Sequence, residues 1–266
     1  MACLHRFKLL MRQYPLRKYW ALGTNTFRAA DNADEFIHAA KTIGIDISII
    51  SGVQEAVLIY AGVITNLPTS VANRLVIDIG GGSTEVIVGE NYDPVLTESL
   101  AIGSVSWRDR FFPKVRFSRA QLLSQIDEGT EQACNVFSAV APGVARMGWE
   151  DAYASSGTVK MLTCICEEHG YGLRQIELKA LHELKEKMAD CVATGRELPG
   201  LKERRRDLLL PGWCIMVGLM ETYGIQKINF NPTALREGML DFMIKNEKTL
   251  QAMESSDLPE VSYAKH

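Results

Sequence analysis

The chain contains no GxGxxG run and no GxxxxGK[ST] run, so neither a dinucleotide-binding turn nor a P-loop is encoded. Its six cysteines include no CxxC pair and no paired-CxxC zinc spacing. Cys164 and Cys166 stand one residue apart in an apolar helical pattern, where they read as small hydrophobes rather than ligands. That usage fits a reducing compartment, and a cytoplasmic location is expected. No apolar run reaches the roughly 18 residues of a membrane span. The basic, amphipathic N-terminus lacks a signal peptide's apolar core and cleavage site. The histidines (His5, His38, His169, His182 and His266) show no ligand spacing, and there is no GxSxG elbow. A net charge of −3 gives no global basic field, so nucleic acid is not an expected partner. An anionic substrate would have to be met by local Arg and Lys.

What is present centres on residues 76–89, which read strand, glycine turn, strand. Val76 and Ile77 are β-branched and apolar, as in a buried strand. Asp78 ends that strand, Gly80, Gly81 and Gly82 follow, and Ser83, Thr84 and Glu85 open the return strand. Glycines have no Cβ to hold a ligand off the backbone, and successive N–H groups in such a turn form an anion site. The flanking acids would repel a bare phosphate, so a divalent cation, Mg²⁺, is expected between Asp78 and Glu85. A glycine run alone is often a mobile turn; the acids and hydroxyls on both sides make this one a phosphate-and-metal candidate.

At 266 residues the chain has room for one large or two small domains. Helical spacing over residues 2–14 ends at Pro15, and a strand is expected over residues 18–22. Residues 23–28 read as a loop, followed by a helix that Asp31 or Asn32 can cap and Gly44 ends. A strand over residues 45–50 leads through Ser51 and Gly52 into a helix, then to the glycine turn. This alternation is the α/β signature. Beyond the turn the pattern predicts a strand over 95–102 and helices from Gly103 and over 118–141, the latter stopped by Pro142 and Gly143. A strand over 151–155, helices from Gly157 and over 178–194, an apolar helix over 211–223, a strand over 225–230 and a helix over 235–244 follow. Residues 1–72 read as a partial first lobe, 73–246 as a second, and 247–266 as a polar tail.

Glu55 opens a helix beside a strand end, where an acid favours the helix dipole. Ligands of α/β sheets bind at such strand ends, and a carboxylate there can act as a general base on water. Arg28 follows a Thr-Asn-Thr turn and reads either as an exposed arginine or as a bidentate phosphate clamp. Arg236 opens the last helix beside Glu237, again as a surface residue or a phosphate ligand. Ser155, Ser156, Gly157, Thr158 and Lys160 form a second strand–turn–helix, which is a simple N-cap or a phosphate turn. The basic run at Lys202, Arg204, Arg205 and Arg206 reads as a solvated face or as a guide for a long anion.

These stretches carry a resemblance. Gly23-Thr24-Asn25-Thr26-Phe27-Arg28, Ile50 to Ala56, Val76 to Glu85, Ala154 to Lys160 and Ala234-Leu235-Arg236-Glu237-Gly238 come in the order seen in the exopolyphosphatase/guanosine pentaphosphate phosphohydrolase family. The resemblance implies an actin-like, duplicated ribonuclease-H-like fold with catalysis in the cleft between two lobes. It also implies hydrolysis of the terminal phosphate of inorganic polyphosphate, or of the 5′ γ-phosphate of guanosine pentaphosphate. By the same resemblance Glu55 looks like the catalytic base, and Asp78 and Glu85 look like Mg²⁺-site acids. Arg28, Gly80, Gly81, Gly82, Ser83, Ser156, Gly157, Thr158 and Arg236 look like phosphate-binding residues.

The chain departs from the family pattern in three places. The Asp-x-Gly-Ser-Asn-Ser loop of the first lobe is echoed only by Leu22-Gly23-Thr24-Asn25-Thr26-Phe27, which lacks the Asp, so that lobe is expected to be incomplete and the chain N-terminally truncated. The usual Glu-Glu-Ala-Arg is Gln54-Glu55-Ala56-Val57, and the usual Ser-Asp-Gly before the last motif is Asn231-Pro232-Thr233. A partial lobe exposes strand edges and apolar surface, so a partner or a homodimer would cover them. The alternative reading is a polyphosphate- or alarmone-binding protein without turnover.

Overall fold

Residues 74–79, Arg-Leu-Val-Ile-Asp-Ile, carry apolar side chains on both faces of an extended chain, the pattern of an interior strand. In a computed structural model, which describes residues 1–16, 19–113 and 117–246, they form such a strand within a six-stranded sheet. Leu75, Ile77 and Ile79 are buried in the larger of the apolar clusters, and Val76 in a separate one on the opposite face.

The described chain divides into two compact units: Met1–Glu55 with the segment from Phe242, and Ala56–Asp241. The first unit holds α1 (Ala2–Met11), β1 (Ala21–Gly23), α2 (Asn25–Ala29), α3 (Ala33–Thr42) and β2 (Ile47–Ile49), and the first turn of α4 (Gly52–Ile64). β1 and β2 pair in parallel. Ala40, Ile45 and Ile47 are its buried centre, with Leu4, Phe27 and Phe36 packed around them. Trp20 meets Phe242 with ring centroids 5.6 Å apart.

The second unit holds the rest of α4, then β3 (Arg74–Ile79), β4 (Thr84–Glu90), β5 (Asp93–Leu100), α5 (Ser104–Phe111), α6 (Arg119–Ser138), α7 (Ala141–Met147), β6 (Asp151–Ser155) and α8 (Gly157–Glu168). It continues with β7 (Gln175–Glu177), α9 (Leu178–Thr194), a 3₁₀ turn (Glu203–Leu208), α10 (Leu209–Tyr223), β8 (Lys227–Phe230) and most of α11 (Leu235–Lys245). The sheet order is β5-β4-β3-β6-β8-β7. β3, β4 and β5 form an antiparallel meander, and β6 and β8 extend it in parallel. That is the ribonuclease-H-like order, with β7 added antiparallel at one edge. α10 is buried through most of its length and packs on α6, α8 and α9 over one face. Ala56, Ile59, Tyr60 and Val63 of α4 cover Val76 and Ile87 on the other. Among the described residues no helix is long and apolar enough to cross a membrane.

The α/β class expected from the alternation is the class observed, but several elements differ. Residues 25–29, expected as loop, form a helical turn because the Thr24 carbonyl accepts from the Phe27 and Arg28 amides at 2.9 and 3.1 Å. The helix expected to run to residue 141 ends at Ser138, and Pro142 instead occupies the first turn of α7, where its missing N–H leaves no bond unmade. β7 was not anticipated. The expected strand start at Lys18 and the tail 247–266 lie outside the described residues.

α4 and α11 cross at small residues within the second unit. A Cβ on Gly62 would overlap the Ala234 carbonyl, and one on Gly238 would overlap the Leu58 carbonyl. Gly238→Ala is therefore expected to lower unfolding stability by about 2–3 kcal/mol, measured as a fall in thermal midpoint. An unchanged midpoint would show that the helices part without cost.

Candidate active site

Residues 80–83 join β3 to β4, and their backbone polar groups divide by direction. The Gly80 N–H closes the turn on the Ser83 carbonyl at 2.9 Å. The Gly80 carbonyl accepts from the Ser104 amide at 2.9 Å, and the Gly81 carbonyl from the Val105 and Ser106 amides at 2.8 and 3.1 Å. The turn's carbonyls thus satisfy the first N–H groups of α5, which would otherwise be orphaned at its N-terminus. Among the described residues the amides of Gly81, Gly82 and Ser83 donate to nothing. Carbonyls tied back and amides left unpaired make a backbone nest for an anion. Gly103 permits this, since a Cβ there would overlap the Gly81–Gly82 peptide.

Strand register places the acids. Asp78 of β3 stands directly opposite Glu85 of β4, and opposite Ser155 of β6. Glu85 stands opposite Ser99 of β5. One sheet face therefore carries the row Ser99, Glu85, Asp78, Ser155 across four adjacent strands. Ser99 Oγ donates to Glu85 Oε1 at 2.9 Å, and Ser155 Oγ donates to Asp78 Oδ2. Like charges facing each other on neighbouring strands repel, and Glu85 is only 1% exposed. Among the described residues no cluster of three or more His, Cys, Asp or Glu side chains could hold a metal. Two hard carboxylates suit Mg²⁺, which keeps several waters and takes its remaining oxygens from substrate phosphates.

β6 feeds α8 through Ser156, whose φ of +112° is outside the conformations a side chain ordinarily adopts. Its Oγ accepts from the Thr158 and Val159 amides at 3.1 and 3.2 Å, so those two N–H groups are already satisfied. The next residue, Gly157, packs against the Arg205 guanidinium; a Cβ there would overlap it. Arg205 is half-buried and, among the described residues, its guanidinium makes no hydrogen bond or ion pair. The neighbouring Arg206 is fully occupied with Glu203 and with the Cys191 and Arg196 carbonyls. One arginine of the basic run thus reaches the α8 turn, whereas Lys202 and Arg204 remain on an exposed face.

The first unit holds the remaining acid. Ser51 and Gln54 cap α4 reciprocally at 3.1 and 2.8 Å, which fixes the turn carrying Glu55. Glu55 is 8% exposed. Arg28, projected by α2, donates from Nη1 to Glu55 Oε2 at 3.0 Å and to the Ile50 carbonyl at 2.8 Å. Burial pushes the Glu55 carboxyl above its ordinary value; Arg28, and the Thr24 hydroxyl beside it, pull it back without cancelling the rise.

Arg236 lies exposed in the first turn of α11 within the second unit, its guanidinium making no hydrogen bond or ion pair among the described residues. The residues around it build structure. Glu237 Oε2 accepts from the Ala234 amide at 2.9 Å, and Gly238 makes the helix crossing. Pro232 and Thr233 stand where the expected pattern has an acid and a glycine, and Thr233 Oγ1 ties this turn to α4 by donating to the Gly62 carbonyl at 2.7 Å.

The structure thus gathers Asp78, the glycine turn, Glu85, Ser155, Ser156, Gly157, Thr158 and Arg205 within the second unit, and Arg28, Thr24 and Glu55 within the first. Sequence patterns offered Arg205 only as one of a basic run and Thr24 only as part of the turn over residues 23–28; neither was assigned a place in the site. Two glycine substitutions separate scaffold from site. Gly103→Ala meets backbone and is expected to lower stability by about 1–3 kcal/mol. Gly157→Ala meets only the end of a flexible side chain, so it should displace Arg205 with little change in thermal midpoint.

The Ppx/GppA phosphatase family model matches residues 1–247. A guanosine-5′-triphosphate,3′-diphosphate pyrophosphatase of Pseudoalteromonas translucida is 35% identical over 247 residues, covering 91% of this chain and 48% of that protein. A Haemophilus influenzae protein provisionally named an exopolyphosphatase is 33% identical over 246 residues, covering 92% of this chain and 75% of its own. The crystal structure of an exopolyphosphatase from Cytophaga hutchinsonii shares the fold, with a TM-score of 0.78 at 21% identity over 96% of this chain and 82% of that one. The chain spans about half the length of the Pseudoalteromonas relative. With that match running from residue 1 to residue 247, the chain belongs to the Ppx/GppA phosphatase family.

Proposed function

We propose that the chain hydrolyses the terminal phosphoanhydride bond of inorganic polyphosphate or of guanosine pentaphosphate. The observation that carries this reading is the glycine turn: three unpaired amides sit beside two directly opposed carboxylates. The amides of Gly81, Gly82 and Ser83 take phosphate oxygens, and the Gly157 amide with Arg205 takes further ones. Arg236 is free to contact the chain of phosphates. Asp78 and Glu85 would hold Mg²⁺, which when bound neutralises charge on the phosphate oxygens.

Glu55 is the base. It accepts a proton from water as the water oxygen bonds to the terminal phosphorus, and the bridging P–O bond breaks with its electron pair leaving on the bridging oxygen. The products are orthophosphate and a chain shorter by one phosphate. Partial burial raises the basicity of Glu55, and Arg28 offsets part of that rise.

Orthophosphate release from polyphosphate, measured with Mg²⁺ near neutral pH, tests this. Glu55→Gln should lower kcat by about 10²–10⁴-fold and leave polyphosphate binding in place. A mutant as fast as the parent would remove Glu55 from the role of base. Binding without release in the parent would instead establish a non-catalytic polyphosphate binder. Because only the ionised carboxylate accepts a proton, activity should fall on acidification through a limb lying above the ordinary glutamate value of 4.5.

A further inference from the structure

Arg28 has so far been a phosphate ligand by resemblance, yet its guanidinium is already engaged. Nη1 is shared between the Ile50 carbonyl at 2.8 Å and Glu55 Oε2 at 3.0 Å. The Ile50 carbonyl belongs to the residue between β2 and the cap of α4, so it moves with the turn that carries Glu55. Arg28 is therefore braced against the base and against the base's own backbone. Its side chain retains 23% exposure, whereas that of Glu55 retains 11%. One member of the pair can be reached from solvent by an anion, and the other is largely covered. Arg28 is the charged side chain that acts on Glu55, and the Thr24 hydroxyl is the neutral group beside it.

We propose that Arg28 positions Glu55 between turnovers, and that the substrate's terminal phosphate draws the guanidinium away and so releases the base. This rests on the phosphoanhydride reading above and adds a step to it. A guanidinium forms bidentate bonds with phosphate, and a terminal phosphate carries more charge than a carboxylate, so the exchange runs toward the ligand. Once the partner has left, Glu55 keeps its partial burial and loses the charge that held its proton affinity down. The base strengthens only when a phosphate is present to be attacked. Thr24 retains the carboxylate's orientation through the exchange. An idle enzyme holds a paired carboxylate whose basicity Arg28 restrains, which limits futile proton uptake.

The test compares two pH profiles, since kcat/KM reports the free enzyme and kcat the complex. In the parent the acid limb of kcat should lie at higher pH than that of kcat/KM. In Arg28→Met the kcat/KM limb should rise by about one pH unit or more to meet it. Arg28→Lys, which keeps the charge, should restore part of the separation. Limbs that coincide in the parent, or a KM that rises in Arg28→Met with no movement of the limb, would make Arg28 a plain phosphate clamp and overturn the exchange. A second readout needs no turnover. The Glu55 carboxyl carbon, followed by NMR, should titrate at higher pH when imidotriphosphate, a hydrolysis-resistant triphosphate analogue, is added. Analogue that binds and leaves that titration unmoved overturns the exchange alone. Analogue that fails to bind overturns the phosphoanhydride reading and the exchange with it.

Discussion

Asp78 and Glu85 face each other across the first hydrogen-bonded rungs of a tight hairpin. Opposed carboxylates on adjacent strands are unfavourable, and burial of one of them makes the arrangement more so. The chain around them is built to keep them there. β3 is an interior strand with apolar neighbours on both faces, so its register cannot slip by one residue without turning Leu75, Ile77 and Ile79 out of the larger core. Ser99 and Ser155 donate to the two acids from the strands on either side, β5 and β6. The glycine turn that closes the hairpin is anchored through its carbonyls to α5. Negative charge thus lies beside the unpaired amides of the glycine turn, and the proposed function sets a cation held with phosphate there.

The first unit arranges its own acid by a different balance. Burial makes Glu55 more basic, and its pairing with Arg28 offsets part of that rise. The pair is local: Arg28 comes from a one-turn helix after β1, and Glu55 from the first turn after β2. The parallel pairing of β1 with β2 aligns the ends of both strands, which is why two residues distant in sequence meet. Strain enters at Ser156, where a non-glycine residue at positive φ turns the chain from β6 into α8. Such a residue persists where the surrounding structure over-determines it, and here its hydroxyl caps the helix it begins.

Much of this was legible in the amino-acid sequence. The apolar run before Asp78, the glycines, and the paired hydroxyls and acid after them pointed to the strand–turn–strand that is observed. The residues 178–194 expected as a helix form α9 with those ends, because an amphipathic stretch closed by Gly195 in the left-handed conformation has clear limits. Short elements were less visible. Gln175–Glu177 makes three residues of strand that run directly into a helix, too few to show alternation. Pro142 reads as a stop after one helix and serves as the start of the next, since both positions tolerate a residue without an N–H. Residues 25–29 carry turn-forming residues, and only the backbone bonds to Thr24 reveal the helical turn that aims Arg28 at Glu55. The contact of Arg205 with Gly157 leaves no local trace, because it joins segments separated by all of β7 and α9.

The account turns on the opposed carboxylates being a cation site, and direct titration of Mg²⁺ into the protein tests it. Calorimetry in the presence of imidotriphosphate should show saturable Mg²⁺ binding by the parent and at least about a tenfold loss of affinity in Asp78→Asn and in Glu85→Gln. Equal Mg²⁺ affinity in the parent and in both variants would contradict it, and would leave the facing acids without a cation to hold them together.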